Sequence, residues 1–128
     1  MLKLIKKLFG DKHEKDLKVL WPIVTEINSH YETIKNLTND ELINKTKEFK
    51  EKIQAHTEET KKNINDLKTR LQSDEDFDRN AAYDELDGFE EKLNDEYEEI
   101  LDELLPEAYA VVKSTCQRLV GTSWTVAG

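Results

Sequence analysis

Apolar side chains return at alternating three- and four-residue steps along the middle half of this chain. From Leu42 the series runs Thr46, Phe49, Ile53, Thr57, Thr60, Ile64, Leu67 and Leu71. A second series runs Tyr83, Leu86, Phe89 or Glu90, Leu93, Tyr97, Ile100 and Leu104. A period near 3.5 sustained over this length commits the backbone to long helices that bury a narrow seam against a partner. The two stripes are similar in length and are joined by the polar run Ser73-Asp74-Glu75-Asp76-Phe77-Asp78. The spacing therefore predicts an antiparallel helical hairpin over 38–105, with an apolar but thin seam. Composition agrees, since 128 residues include only 4 Gly and 2 Pro, and charged and hydrophobic residues each make up 37%. That balance favours solvated helices over a sheet-containing core.

The rest of the chain also reads as helix. Leu2, Ile5, Leu8 and Phe9 share one face of a short segment while Lys3, Lys6 and Lys7 occupy the other, the pattern of a basic amphipathic helix. Such a helix can lie on lipid, or pack its apolar strip on the protein's own second helix. Leu17, Leu20, Trp21, Val24, Ile27, Tyr31 and Ile34 mark a helix over 11–36, with Pro22 expected to kink it or mark a start. Thr38 with Glu41 forms a capping box that opens the hairpin. Pro106 suits the first turn of a further short helix, Glu107 beside it complements the helix dipole, and Gly121 supplies a left-handed stop. On that last helix Ala108, Val111, Val112, Thr115, Cys116 and Leu119 fall on one face that needs a partner surface. The expected class is all-α: an N-terminal amphipathic helix, the helix over 11–36, the long hairpin and a short C-terminal helix.

Charge is unevenly placed. Residues 1–56 carry 11 basic and 9 acidic side chains (+2), residues 57–105 carry 6 and 18 (−12), and residues 106–128 carry 2 and 1 (+1), for a net of −9. The middle is an acidic rod that repels phosphate backbones, so nucleic acid is not an expected partner. Only Lys3, Lys6 and Lys7 suit an anionic surface. No run approaches the roughly 18 apolar residues of a spanning helix, and Met1–Phe9 lacks a secretory apolar core. Cys116, the only cysteine, rules out an internal disulfide and fits a reducing compartment, where it reads as inert core. A cytoplasmic or peripheral location follows.

Candidate chemistry is sparse. Asp74, Asp76, Asp78, Asn80 and Glu85 match positions 1, 3, 5, 7 and 12 of a calcium-loop template between two helices. Arg79 stands where that loop turns through glycine, and Ala81 where a β-branched residue is usual, so the plainer reading is an acidic turn in which Asp78 caps the next helix. Adjacent carboxylates such as Glu58-Glu59, Glu90-Glu91 and Glu98-Glu99 point about 100° apart on a helix and do not share a proton. His13 and His30 have no partner at a metal spacing. No phosphate-binding glycine loop occurs, so this stretch itself is expected to hold no catalytic residue, cofactor or metal.

Three ordered stretches resemble one family. Met1-Leu2-Lys3-Leu4-Ile5-Lys6-Lys7-Leu8-Phe9-Gly10 is similar to the basic amphipathic start of SecA proteins. Leu37-Thr38-Asn39-Asp40-Glu41-Leu42, continued by Lys45-Thr46 and Glu48-Phe49, is similar to a run near their N-terminus. Leu105-Pro106-Glu107-Ala108-Tyr109-Ala110-Val111-Val112 resembles another SecA signature. The chain departs from the usual pattern in residues 55–102, an acidic insert between the second and third stretches. The resemblance implies the N-terminal helical region of an ATP-driven preprotein-export motor, peripheral on the cytoplasmic face of the inner membrane. It implies a nucleotide site for ATP and Mg beyond Gly128, and hence that the sequence is the opening piece of something larger, with 106–128 leading toward the nucleotide-binding domain. Partners so implied are the SecYEG channel and anionic phospholipid, met through Leu2, Lys3, Ile5, Lys6, Lys7, Leu8 and Phe9, and preprotein through the parent; a homodimer is left open. The alternative, from composition alone, is a stand-alone acidic coiled-coil-like interaction module.

Overall fold

The computed structural model describes residues 12–73 and 78–123, with side chains from Asp16 onward. The segment carrying Leu2, Lys3, Ile5, Lys6, Lys7, Leu8 and Phe9 lies outside the described residues, as do Asp74, Asp76 and Trp124. Three helices make up the regular structure among the described residues: α1 Lys12–Ile34, α2 Asn39–Gln72 and α3 Arg79–Leu119. The all-α expectation holds. The chain forms two compact units, Ile43–Leu105 on the one hand and Met1–Leu42 with Pro106–Gly128 on the other.

The first unit is the hairpin. Ile64, Leu67, Ala82 and Leu86 are buried together, with Leu71, Phe89 and Leu93 packed against them. Farther from the turn the seam continues through Thr57 and Thr60, both fully buried, and through Ile100 and Leu104. Each buried Leu or Ile stabilises by about 1.5–3 kcal/mol over leaving it in water. Cross-helix contacts fix the antiparallel order. Lys68 Nζ donates to Glu90 Oε1 at 2.8 Å, Lys61 Nζ sits 5.1 Å from the centre of the Tyr97 ring, and His56 Nε2 lies 3.6 Å from Glu99 Oε2. Falling numbers on α2 thus meet rising numbers on α3.

The phase of α3 differs slightly from the apolar count. Ala82 is the buried residue at the turn end, while Tyr83 is exposed. Phe89 takes the seam and Glu90 the flank, where it meets Lys68. Asp78 sets this phase, because its Oδ1 accepts from the backbone N–H of Asn80 at 3.0 Å and of Ala81 at 3.1 Å, the expected cap. A tyrosine at Ala82 would carry a hydroxyl needing a partner into the seam.

In the second unit, Ile34, Leu42 and Ala110 form the buried centre, with Ile27, Tyr31, Leu37 and Val111 around them. The capping box is present: the Thr38 backbone N–H donates to Glu41 Oε2 at 2.7 Å, and the Glu41 N–H donates to Thr38 Oγ1 at 3.3 Å. Pro22 lies inside α1 and does not begin it. The carbonyl it deprives, on Lys18, belongs to an exposed turn where water can replace the lost donor.

One expected boundary is corrected. No short C-terminal helix starts at Pro106; α3 runs through that residue without a break. A helix-interior proline costs about 3 kcal/mol. On the hairpin side of it Leu104 is buried in the first unit, and from it onward Pro106, Ala110 and Ser114 are buried in the second, so helical backbone is favoured by burial on both sides of the proline. Packing therefore outweighs one absent N–H. The helix ends where the sequence places its stop, with Gly121 at φ 81° and the Thr122 N–H donating to the Leu119 carbonyl at 3.1 Å.

Candidate partner-contact surfaces

Within the second unit the SecA-like residues converge. Leu37, Leu42, Ala110 and Val111 belong to one apolar cluster. Arg118, near the end of α3, donates from Nη1 to Asn39 Oδ1 at 2.7 Å and from Nη2 to the Leu37 carbonyl. One guanidinium thus ties the link between α1 and α2 to the last turns of α3, using the fork geometry that lysine lacks. Lys113 Nζ donates to Asn28 Oδ1 at 2.7 Å and lies 4.3 Å from the centre of the Tyr31 ring, adding a cation–π contact. Sequence reasoning missed both basic residues; for Arg118 the available signal was a cation in the last turn of a helix, which dipole arguments alone would have explained, and for Lys113 there was none.

The buried face of α3 in this unit also differs from expectation. Ala110 and Ser114 turn inward, and Cys116, read from the sequence as inert core, is exposed. Val112 and Leu119 are exposed with it, Val112 by 58%. The reason is steric. Where α3 meets Ile34 and Leu42, small side chains four residues apart leave room for the larger partners, and the bulkier residues are displaced to the outer face. On α1 only the C-terminal half is covered: Leu17, Val19, Leu20, Trp21 and Val24 are exposed, Trp21 by 61%. These exposed apolar side chains make both helices candidates for a contact surface.

Electrostatics add little chemistry. Glu41 is held below the ordinary carboxylate range by the Thr38 backbone N–H and then the Thr38 hydroxyl. Lys35 is raised by its hydrogen bond and charge pairing with Glu32. Both are exposed, structural pairs, not acid–base machinery.

Of the calcium-template residues, Asp78 uses Oδ1 as the cap of α3, and Asn80 and Glu85 are exposed within that helix. Asp74 and Asp76 fall outside the described residues. Among the described residues no group of three or more His, Cys, Asp or Glu could hold a metal ion. The sequence contains no glycine-rich phosphate loop of the P-loop type. Among the described residues no helix is long and apolar enough to cross a membrane.

Comparisons with known proteins give a consistent answer. A family model described as the SecA DEAD-like domain matches residues 5–125. The protein translocase subunit SecA of Chloroherpeton thalassium is 44% identical over 130 residues, covering 100% of this chain and 12% of that relative. Its counterpart in Salinibacter ruber is 39% identical over 149 residues, covering 100% and 13%. That of Parabacteroides distasonis is 38% identical over 112 residues, covering 88% and 10%. The chain thus spans about an eighth of the length of the first two relatives, and residues 55–102 lie inside both of those alignments. No solved structure matches the chain.

Proposed function

The chain belongs to the SecA family, and on that premise we propose that it forms the N-terminal helical portion of a protein-translocating ATPase. It serves attachment and packing, while nucleotide chemistry resides elsewhere in the parent protein. The observation that carries this reading is the exposed apolar side chains of the second unit: Tyr109, Val112, Cys116 and Leu119 along one face of α3, and Leu20 and Trp21 on α1. Apolar side chains left in water along a helix face are what a docking surface presents. In this reading the C-terminal turns of α3 dock on the nucleotide-binding domain, which binds ATP and Mg, and the parent drives preproteins through the SecYEG channel.

Residues 1–10 form the membrane and channel contact. Leu2, Ile5, Leu8 and Phe9 insert at the interface, and Lys3, Lys6 and Lys7 meet anionic headgroups. An amphipathic segment this short binds lipid marginally on its own, so the lysines supply much of the attraction at low salt. The protein accordingly works at the cytoplasmic face of the inner membrane. The domain organisation is 1–10 as contact segment, 11–37 as helix, 38–105 as the hairpin with its acidic insert, and 106–128 leading toward the nucleotide domain.

Flotation with vesicles rich in anionic phospholipid tests the attachment. Removing residues 1–10 should abolish co-flotation at low salt, and exchanging Lys3, Lys6 and Lys7 for Gln should weaken it. Unchanged co-flotation after the deletion would overturn the assignment.

A further inference from the structure

Halfway along the hairpin the seam stops being apolar. Thr57 and Thr60 are fully buried on α2, and the facing position on α3 is Glu96, whose side chain is only 18% exposed. The Thr60 hydroxyl donates to Glu96 Oε1 at 2.8 Å, and Lys92 Nζ lies 3.5 Å from the same oxygen. The other carboxylate oxygen, Oε2, is buried with no hydrogen-bond partner. Thr57 meets its need within its own helix, donating to the Ile53 carbonyl at 2.9 Å. Among the buried polar side chains of the seam, then, only Thr60 and Glu96 depend on how the two helices are aligned.

A half-satisfied carboxylate in a seam is a poor source of stability. It is a good source of discrimination. A hairpin whose apolar residues repeat every seven positions can slide by about one heptad and still bury them, moving its turn by only half that distance. Sliding one way sets Glu96 against Ile53, and sliding the other way sets it against Leu67. Neither side chain can donate, so the carboxylate would lose its one cross-helix hydrogen bond while staying in the seam.

Going beyond the attachment role, we propose that the Thr60–Glu96 pair is the register lock of the hairpin, selecting one alignment of α2 and α3 at a cost in stability. Ile64, Leu67, Leu86 and Leu93 provide the adhesion; the polar pair decides which alignment receives it. Lys68 and Glu90, half exposed on the flank, report that alignment without determining it.

The test uses the full chain with Cys116 changed to Ser. Cysteines are placed at Lys68 and Glu90 to report the native alignment, or at Lys61 and Glu90 to report a slip of one heptad, and joined with a short bifunctional thiol reagent. With Thr60 and Glu96 present, only the native pair should link. In Thr60→Val with Glu96→Leu, the slipped pair should link at least about ten-fold more, while helicity by circular dichroism is kept and Tm is equal or higher. Glu96→Gln, which retains a carbonyl acceptor for Thr60, should keep the native alignment, and Thr57→Val should leave it unchanged. A native-only cross-link in the Thr60→Val, Glu96→Leu variant would overturn the proposal. So would a fall in its Tm with the alignment kept, because the pair would then contribute adhesion and not selection.

Discussion

Substituting Ala110 and Val112 in parallel separates the observed face of α3 from the one its composition suggests. Ala110 is fully buried at the contact with Ile34 and Leu42, whereas Val112, two residues on, is 58% exposed. Ala110→Leu adds three carbon atoms where no space remains, and overpacking of this kind costs about 1–3 kcal/mol. Val112→Ser alters a mostly solvated side chain and should stay within about 0.5 kcal/mol of the parent. With a urea m-value of about 1.5 kcal/mol per molar, a loss of 2 kcal/mol lowers the unfolding midpoint by about 1.3 M. Urea titrations followed at 222 nm report the helices of both units together. The fluorescence of Trp21, measured in a Trp124→Phe background, reports α1 of the second unit. The reasoning predicts a large midpoint shift for Ala110→Leu and almost none for Val112→Ser, seen most clearly in the Trp21 signal. It is refuted if the order is reversed, with Val112→Ser costing 2 kcal/mol or more and Ala110→Leu tolerated.

Three further outcomes follow from the geometry. Pro106→Ala restores a backbone donor inside α3, and because the ring it removes is buried, the net gain should be modest, about 1 kcal/mol; a lower Tm would mean that the proline is needed for packing. Glu41 has a lowered pKa, so its contribution is present above its ordinary value of 4.5 and disappears as pH falls through its folded value. Thr38→Ala should flatten that part of the stability–pH profile, and an unchanged acid limb would contradict the capping-box cause. Finally, with Asp78 occupied as a cap, millimolar calcium should produce neither titration heat nor a thermal shift; either signal would restore the calcium-loop reading.

Much of this architecture was legible in the sequence because it depends on local physics. The heptad-like spacing of Phe49 to Leu71 and Leu86 to Leu104 required two long helices, since no other backbone brings residues so spaced onto one side. Thr38 with Glu41, Asp78 and Gly121 marked helix ends through hydrogen bonds and backbone angles that involve only near neighbours. The three SecA-like stretches were also readable, and the match over residues 5–125 agrees with them.

Other features depend on what lies across the interface, and these the residues could not declare. Whether a proline stops a helix is a contest between one lost hydrogen bond and the side chains the continued helix can bury, and at Pro106 burial prevails. Whether Ala110 or Val112 faces inward depends on the room beside Ile34 and Leu42, which has no trace in the periodicity of α3 itself. The same holds for Glu96, whose carboxylate is held in the seam by a threonine hydroxyl that only the folding of the hairpin brings near. Sequence alone determined which segments are helical and where most of them end, because those are nearest-neighbour energies. Tertiary structure decided which faces are buried and which polar groups are tolerated there, because burial is a property of two surfaces together.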